Sequence, residues 1–238
     1  MLNLLRMEWY QLRRNNAYRG LLLTVCGTSA LFALLSLLAP GLPNGRQAVL
    51  SAMSHAVFIC LFLSFLAGKL LGADFNNRTI CLQATCGRSR VILVIVKTIL
   101  FIAAALPVIL LYPFVTGAIL TLCIGWGETI DAANILCLLQ SIGLHTMAYV
   151  WICAVDALLC FCFRDVGAAM GSAIAYYILC LVLAEIELVA KASPVYWLAV
   201  FQNGAAASDA AGFFVYAAAF ILGAATLSCI RFRTIDLK

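Results

Sequence analysis

The side chains with the greatest capacity for chemistry lie in one strip of this 238-residue sequence, residues 74–97, which reads DFNNRTICLQATCGRSRVILVIVK. The strip carries one carboxylate, four cationic side chains, and amides and hydroxyls between two apolar runs. The sequence has no G-x-x-x-x-G-K-S/T, H-E-x-x-H or G-x-S-x-G motif with which to bind phosphate, activate water or attack a carbonyl. The two histidines, His55 and His145, fall in different apolar runs. We therefore expect no catalytic site, so the chain would not be an enzyme, and we interpret the strip as a contact surface.

The eleven cysteines form neither a disulfide framework nor a metal-binding pattern. Cys160 and Cys162 lack the proline and the carboxylates of metal-transport motifs, and Cys81 and Cys86 have no further ligand close by in the sequence. Most of the others lie inside apolar runs, where a thiol packs as a small hydrophobic group: Cys26, Cys60, Cys137, Cys153, Cys180 and Cys229. We expect no bound metal.

The elements that must position the strip are membrane-spanning helices. The chain is 65% hydrophobic and 11% charged, with a mean hydropathy of +1.07, whereas a soluble domain has about 25% charged residues. A helix of about 20 apolar residues crosses a bilayer, and six runs qualify: residues 20–39, 50–71, 91–122, 133–162, 166–189 and 211–230. Pro107 and Pro113 predict a bend in the third. The predicted fold class is all-α integral membrane, with a single transmembrane domain over residues 1–238.

Charge predicts the orientation of the six helices. Of the fifteen Lys and Arg residues, thirteen lie on one side of the spans, and only Arg46 and Lys191 lie on the other. Because positive residues near span ends are retained in the cytoplasm, both termini and residues 74–97 are predicted to be cytoplasmic in a multi-pass plasma-membrane protein. The thirteen are Arg6, Arg13, Arg14, Arg19, Lys69, Arg78, Arg88, Arg90, Lys97, Arg164, Arg231, Arg233 and Lys238.

The segment before the first span has an amphipathic pattern. As a helix, residues 1–19 would place Trp9 and Tyr10 at the level of the lipid headgroups, with Arg13 and Arg14 away from the apolar face. That face would contain Leu4, Leu5, Trp9 and Leu12. We predict an interfacial elbow helix in contact with membrane lipid.

The segment before the sixth span, residues 191–210, lies on the predicted outer side. Its aromatic residues Tyr196, Trp197 and Phe201 predict a re-entrant or surface helix, and therefore an extracellular hairpin before the last span. An ordinary loop is the alternative.

Residues 72–90 are predicted to form a short cytoplasmic helix between the second and third spans. Asp74 suits the residue that caps a helix N-terminus, residues 76–86 give about three turns, and Gly87 suits the left-handed position that ends a helix. One face is mildly apolar, which suits docking in a groove of another protein, and comprises Thr79, Leu82, Gln83 and Cys86. The alternative is a solvated basic loop that only fixes topology.

The strip resembles the signature region of type-2 ATP-binding-cassette exporter permeases, which have an acidic residue, a Gly-Thr pair, Ser-Arg and a Lys between their second and third spans. The residues that fill these places here are Asp74, Thr79, Ser89, Arg90 and Lys97. Arg78 departs from the pattern, because it stands where the family usually has Gly. The opening MLNLLRMEWYQLRRN is similar to the elbow helix of these permeases, so the resemblance covers the whole chain.

The resemblance implies a pore half that pairs with a second permease subunit, identical or related, on two cytoplasmic ATPase subunits. ATP and Mg would bind to those partners, and no nucleic acid is expected. The implied function is bacterial export of an amphipathic peptide, drug or lipid-like substrate by alternating access. The residues implied to contact the ATPase are Asp74, Arg78, Thr79, Leu82, Gln83, Cys86, Arg88 and Arg90. The alternatives are a membrane anchor or regulatory subunit that transports nothing, and, less favoured, an intramembrane enzyme.

Small residues and one acidic residue mark further contacts inside the spans. Gly167 and Gly171 form G-x-x-x-G, as do Gly68 and Gly72, and this spacing lets helices approach closely. We expect the Gly167 face either at a dimer seam or packed inside one bundle. Asp156 lies about two turns before Arg164, and we favour a structural pairing of the two.

Overall fold

A computed structural model of the protein describes residues 2–38, 44–85, 89–127, 131–186, 189–202 and 207–234, and within them every regular element is helical. The α-helices are α1 (Leu2–Arg14), α2 (Asn16–Leu37), α3 (Gly45–Ser54), α4 (Ala56–Ala67), α5 (Ala73–Asn76), α6 (Thr79–Thr85), α7 (Arg90–Ile124), α8 (Ala132–Phe163), α9 (Val166–Ala184), α10 (Pro194–Gln202) and α11 (Ala207–Thr234). A π-helical turn, Gly68–Gly72, joins α4 to α5, and a 3₁₀ turn, Ala190–Ala192, precedes α10.

Six segments are long and apolar enough to cross a membrane, which confirms the predicted number. They are Asn16–Leu37, Ala56–Asn76, Arg90–Ile124, Asn134–Phe163, Val166–Ala184 and Ala210–Arg233. The protein is therefore an all-helical, multi-pass membrane protein. The third span is a single helix, α7, with Pro107 and Pro113 inside it. The fifth ends at Ala184, five residues before the predicted end at 189.

The second span, predicted over residues 50–71, differs most from its prediction, because the helix is broken at His55 and the span runs over Ala56–Asn76. The backbone there has φ −73° and ψ 61°, so α3 ends and α4 begins afresh. A helix end leaves its last carbonyls without intrahelical donors, and a bilayer supplies no water to satisfy them. The Tyr149 hydroxyl of α8 donates to one of them, the Met53 carbonyl, at 2.6 Å. The break is thus possible because it is buried against a neighbouring helix.

The far end of the second span packs closely on the start of α9. A Cβ on Gly72 would lie 3.0 Å from the Val166 Cα, and a Cβ on Gly68 would collide with the Met170 side chain. Any larger residue at Gly72 would push against backbone, which cannot yield as a side chain can. This G-x-x-x-G pair therefore serves packing inside one chain.

The turn between α8 and α9 lies beside this contact. Arg164 has a positive φ of 59°, and its N–H donates to the Cys160 carbonyl at 3.0 Å, as in a left-handed helix ending. Asp165 caps α9, because its carboxylate accepts from the Ala168 N–H at 3.0 Å, and it also accepts from the Asn76 amide at 3.2 Å. The Ala168 N–H, followed by the Asn76 amide, lowers the pKa of the Asp165 carboxyl.

The six spans divide into an inner and an outer group. In the most apolar stretch of the second, third and fourth spans 56% of residues are buried, against 22% in α2, α9 and α11. The inner group surrounds the largest buried side chains, which include Phe101, Tyr112, Tyr149, Trp151 and Phe161. The outer helices present apolar residues outwards, as contact with lipid or with another membrane subunit requires.

The segment before the last span is a helix rather than an ordinary loop over residues 194–202. In α10 the Trp197 indole N–H donates to the Lys191 carbonyl at 2.9 Å, and just before it the Ser193 hydroxyl donates to the Cys180 carbonyl at 2.7 Å. The ring of Phe201 packs edge-on against Phe213 of α11 at 4.9 Å. This segment is therefore anchored in the helix bundle. Residues 203–206 of the predicted hairpin lie outside the described residues.

Candidate functional site

Most of the residues predicted to carry function lie at one end of the bundle, which we call the basic end. It contains α1, the turn between α5 and α6, the start of α7, the α8–α9 turn and the last turn of α11. Its exposed or half-buried cations include Arg13, Arg14, Arg78, Arg164 and Arg231. Three of its elements, α1, α5 and α7, meet at one buried ammonium group.

That group belongs to Lys97, two turns into α7. Its Nζ lies 2.7 Å from Glu8 Oε2 and 2.5 Å from Asp74 Oδ2. Lys97 is 3% exposed, and the side chains of Glu8 and Asp74 are 5% and 22% exposed. We call these three residues the ion cluster. It holds two carboxylates and one ammonium, and it joins the N-terminal helix, the end of the second span and the start of the third.

The sequence of α1 explains why Glu8 is buried. Residues four apart lie on one helical face, and Leu4, Glu8 and Leu12 are all buried at that spacing. Leu4 packs with Leu93 and Val96 of α7, which brings Glu8 to the adjacent Lys97. Sequence reasoning missed Glu8, although a lone acidic residue between two leucines of the apolar face was a signal that could have found it.

Asp74 does not cap the helix of the strip, so that prediction is wrong. Asp74 lies inside α5, which continues the second span, and the new helix α6 begins only at Thr79. The Thr79 side chain hydrogen-bonds to the Asp74 carboxylate. The carboxylate is thus held by a residue after the turn and by Lys97, and it stabilises the turn rather than a helix start.

Arg78, the residue that departs from the permease signature, lies in the turn between α5 and α6. Arg78 has a φ of 55°, in the left-handed region where glycine is the usual residue. The side chain is exposed. The chain therefore adopts here the backbone conformation that the Gly of the signature would favour, with an arginine in its place.

The predicted docking face of α6 divides into an inner and an outer part. The Gln83 amide donates to Glu8 Oε1 at 3.0 Å, and Thr79 faces Asp74, so both are directed into the bundle. Leu82, in contrast, is 64% exposed. Arg90 of α7 donates to the Arg233 carbonyl of α11 at 3.3 Å. Cys86 and Arg88 lie outside the described residues.

The aromatic residues predicted for the interfacial helix are partly exposed. Trp9 and Tyr10 are 40% and 56% exposed, and the Arg14 guanidinium lies 4.7 Å from the centre of the Tyr10 ring. Arg13 is exposed, and its carbonyl accepts from the Arg19 side chain at 3.1 Å. A helix with one face on α7 and these groups outside has the features of an interfacial helix.

The ion cluster is suited to holding elements together. Its three side chains supply one ammonium and two carboxylates, and the Thr79 side chain hydrogen-bonds to one of those carboxylates, that of Asp74. Removing one partner of a buried charge pair costs about 3–5 kcal/mol. That cost opposes separation of α1, α5 and α7, which carry the three charges.

Two other predictions concern residues of α8 and α9. Among the described residues, a Cβ on Gly171 would have no atom within 4 Å and a Cβ on Gly167 would meet only its neighbour Asp165, so neither glycine makes a close contact with another described helix. The predicted pairing of Asp156 with Arg164 is wrong. Asp156 is 1% exposed, and its Oδ1 atom has no hydrogen-bond partner among the described residues.

Fold and site together define a multi-pass helical membrane protein with a buried ion cluster at one end. Comparison with known proteins adds no family: no protein-family model, no curated protein and no solved structure matches the chain.

Proposed function

We propose that this chain is the permease subunit of an ATP-driven exporter, with its basic end in the bacterial cytoplasm. The observation that carries the proposal is the ion cluster, because it connects the exposed helix α6 to the membrane-spanning helices. Gln83 links α6 to Glu8 of α1, and Lys97 links α1 and the end of the second span to α7. A push on α6 would therefore be transmitted to three elements at once.

The outer surface of α6 supports contact with a soluble partner. Leu82 is exposed on it, and the exposed Arg78 precedes the helix. An apolar side chain on a short helix with basic residues beside it suits a groove on another protein. In this proposal the partner is a cytoplasmic ATPase that binds ATP and Mg, and its closure on ATP moves α6.

The exposed face of α9 supports pairing with a second permease subunit, identical or related. Gly167 and Gly171 are exposed there, and the open space above Gly171 admits a helix from a partner. Gly171→Leu is expected to lower the dimer fraction in light scattering of purified protein while leaving the monomer folded. A dimer fraction equal to that of the wild type would rule out this seam.

The cargo that fits an apolar bundle is amphipathic: a peptide, a drug or a lipid-like molecule. In this proposal the two halves rock about the α9 seam, and they open towards each side of the plasma membrane in turn. The segment of α10 lies on the outer side, where its buried aromatic face would brace α8 and α11 during the movement.

The deciding experiment is co-purification of the tagged chain with an ATPase, followed by hydrolysis assays with amphipathic candidates. Leu82→Arg is expected to abolish recovery of the ATPase. Leu38→Arg is the matched control, because Leu38 is 83% exposed at the opposite end of the bundle. Equal recovery with both variants would refute docking through α6. If an ATPase is recovered but no candidate substrate changes its rate of ATP hydrolysis, the chain anchors or regulates a complex instead.

A further inference from the structure

The cavity between α9 and α11 is an apolar groove beside a buried acid. Both helices pack on α8 and leave about 420 Å³ between them. The lining includes Val155, Leu158, Tyr176, Phe220, Gly223 and Leu227. A volume of this size lies in the range that holds a small organic ligand. The lining is almost wholly apolar, and Tyr176 is the residue that brings a polar group to it.

Asp156 lies behind this groove, one residue from Val155 on α8. Its side chain is 1% exposed, its Oδ1 has no hydrogen-bond partner among the described residues, and no described Lys, Arg or His pairs with it. An ionised carboxylate at membrane depth is costly unless a cation or hydrogen-bond donors accompany it. Ionisation of Asp156 therefore calls for a cation that the described residues do not supply.

Tyr176 connects the acid to the groove. Its ring lines the groove, and its side chain hydrogen-bonds to Cys180 and lies within electrostatic reach of Asp156. Phe220, which lines the groove, stacks on the buried Trp151 with ring centres 4.6 Å apart. Aromatic faces attract cations, most strongly where water is excluded. The carboxyl group of Asp156 and the aromatic rings thus both favour a positively charged ligand.

We propose that the groove between α9 and α11 binds a lipophilic monovalent cation, with Asp156 as its counter-charge. The apolar body of the ligand occupies the space along α11, and its charge lies against Tyr176, the lining residue within electrostatic reach of Asp156. One unpaired carboxylate selects a single positive charge. As a statement about cargo this rests on the proposed exporter function, but binding itself needs no ATPase.

The test is a binding titration on the purified full-length chain in lipid nanodiscs, without any ATPase. The probes are tetraphenylphosphonium and the neutral triphenylphosphine oxide, which has a similar apolar body. We expect the wild type to bind the cation at least tenfold more tightly. Asp156→Asn should remove that preference and leave binding of the neutral probe unchanged. Asp165→Asn is the control, since Asp165 is an exposed acid at the α8–α9 turn.

A second variant keeps the test decisive if Asp156→Asn does not fold. A Cβ on Gly223 would have no atom within 4 Å, so Gly223→Leu fills the groove without displacing its walls. It is expected to weaken binding of both probes at least tenfold. Equal binding of the two probes by the wild type would overturn the proposal and indicate a lipid-chain groove. Cation binding unaffected by Gly223→Leu would overturn it as well. Neither result bears on docking of an ATPase.

Discussion

The largest effect on stability is predicted for Lys97→Met, which removes the only ammonium from the ion cluster. Glu8 and Asp74 would remain as two carboxylates, 5% and 22% exposed, near each other and without their cation. Loss of one partner from a buried charge pair costs about 3–5 kcal/mol. Since one cation here serves two carboxylates, we expect the free energy of unfolding to fall by at least that range.

The cluster also predicts an order among its variants. Asp74→Asn leaves the Lys97–Glu8 pair intact and removes an excess negative charge, so its cost should stay below about 2 kcal/mol. The triple variant Glu8→Gln, Asp74→Asn, Lys97→Met has no buried charge, and neutral replacement of a whole buried cluster is often close to neutral in stability. It should therefore recover most of the loss caused by Lys97→Met alone.

The measurement is reversible unfolding in mixed micelles, followed by circular dichroism for the wild type and the three variants. Equal protein and detergent concentrations keep the comparison valid. The reasoning is refuted if Lys97→Met costs less than Asp74→Asn, or if the triple variant is no more stable than Lys97→Met. Either result would mean that water reaches the cluster and screens it.

Three further predictions use the same unfolding measurement. Arg78→Gly should leave the free energy of unfolding unchanged or raise it by up to about 1 kcal/mol, whereas Arg78→Val should lower it by about 1–2 kcal/mol. The reason is that a left-handed φ suits glycine and strains a β-branched residue. Equal free energies of unfolding for the two variants would contradict the left-handed turn at Arg78. Tyr149→Phe should lower the free energy of unfolding by about 1–3 kcal/mol, because the Met53 carbonyl at the helix break loses its hydrogen-bond donor. Tyr177→Phe is the control variant and should have a smaller effect. Asp165→Ala should lower stability at pH 5 and have a smaller effect at pH 3. The bonded Asp165 carboxylate has a lowered pKa, so its contribution is present above the ordinary value of 3.8 and is lost as pH falls through the lowered pKa. If the difference in stability between the wild type and Asp165→Ala is as large at pH 3 as at pH 5, the capping role of Asp165 is contradicted.

Much of the fold could be predicted because its signals are local. A long apolar run crosses a membrane whatever surrounds it, and the first, third, fourth and sixth spans lie within four residues of their predicted bounds. The apolar face of the N-terminal helix could also be predicted from the sequence. Each of these depends on a window of sequence and not on which helices become neighbours.

The site was predictable only in outline. The strip of residues 74–97 indicated the right region, but the partners of Asp74 and Lys97 were not readable, because Glu8 reaches Lys97 from 89 residues away along the chain. The break at His55 was also missed. No glycine or proline marks it, and its stability depends on a hydroxyl from α8.

By itself the sequence determined an all-helical protein with six membrane spans, since apolar composition and length act on each segment separately. Only the tertiary structure decided which of two identical small-residue motifs is used inside the chain. Gly68 and Gly72 meet the backbone of α9, whereas Gly167 and Gly171 face outwards. It alone left Asp156 Oδ1 without a hydrogen-bond partner among the described residues and gave Lys97 two carboxylates. The physical reason is that pairing of faces and charges depends on distances in space, which residue type and spacing along one segment do not specify.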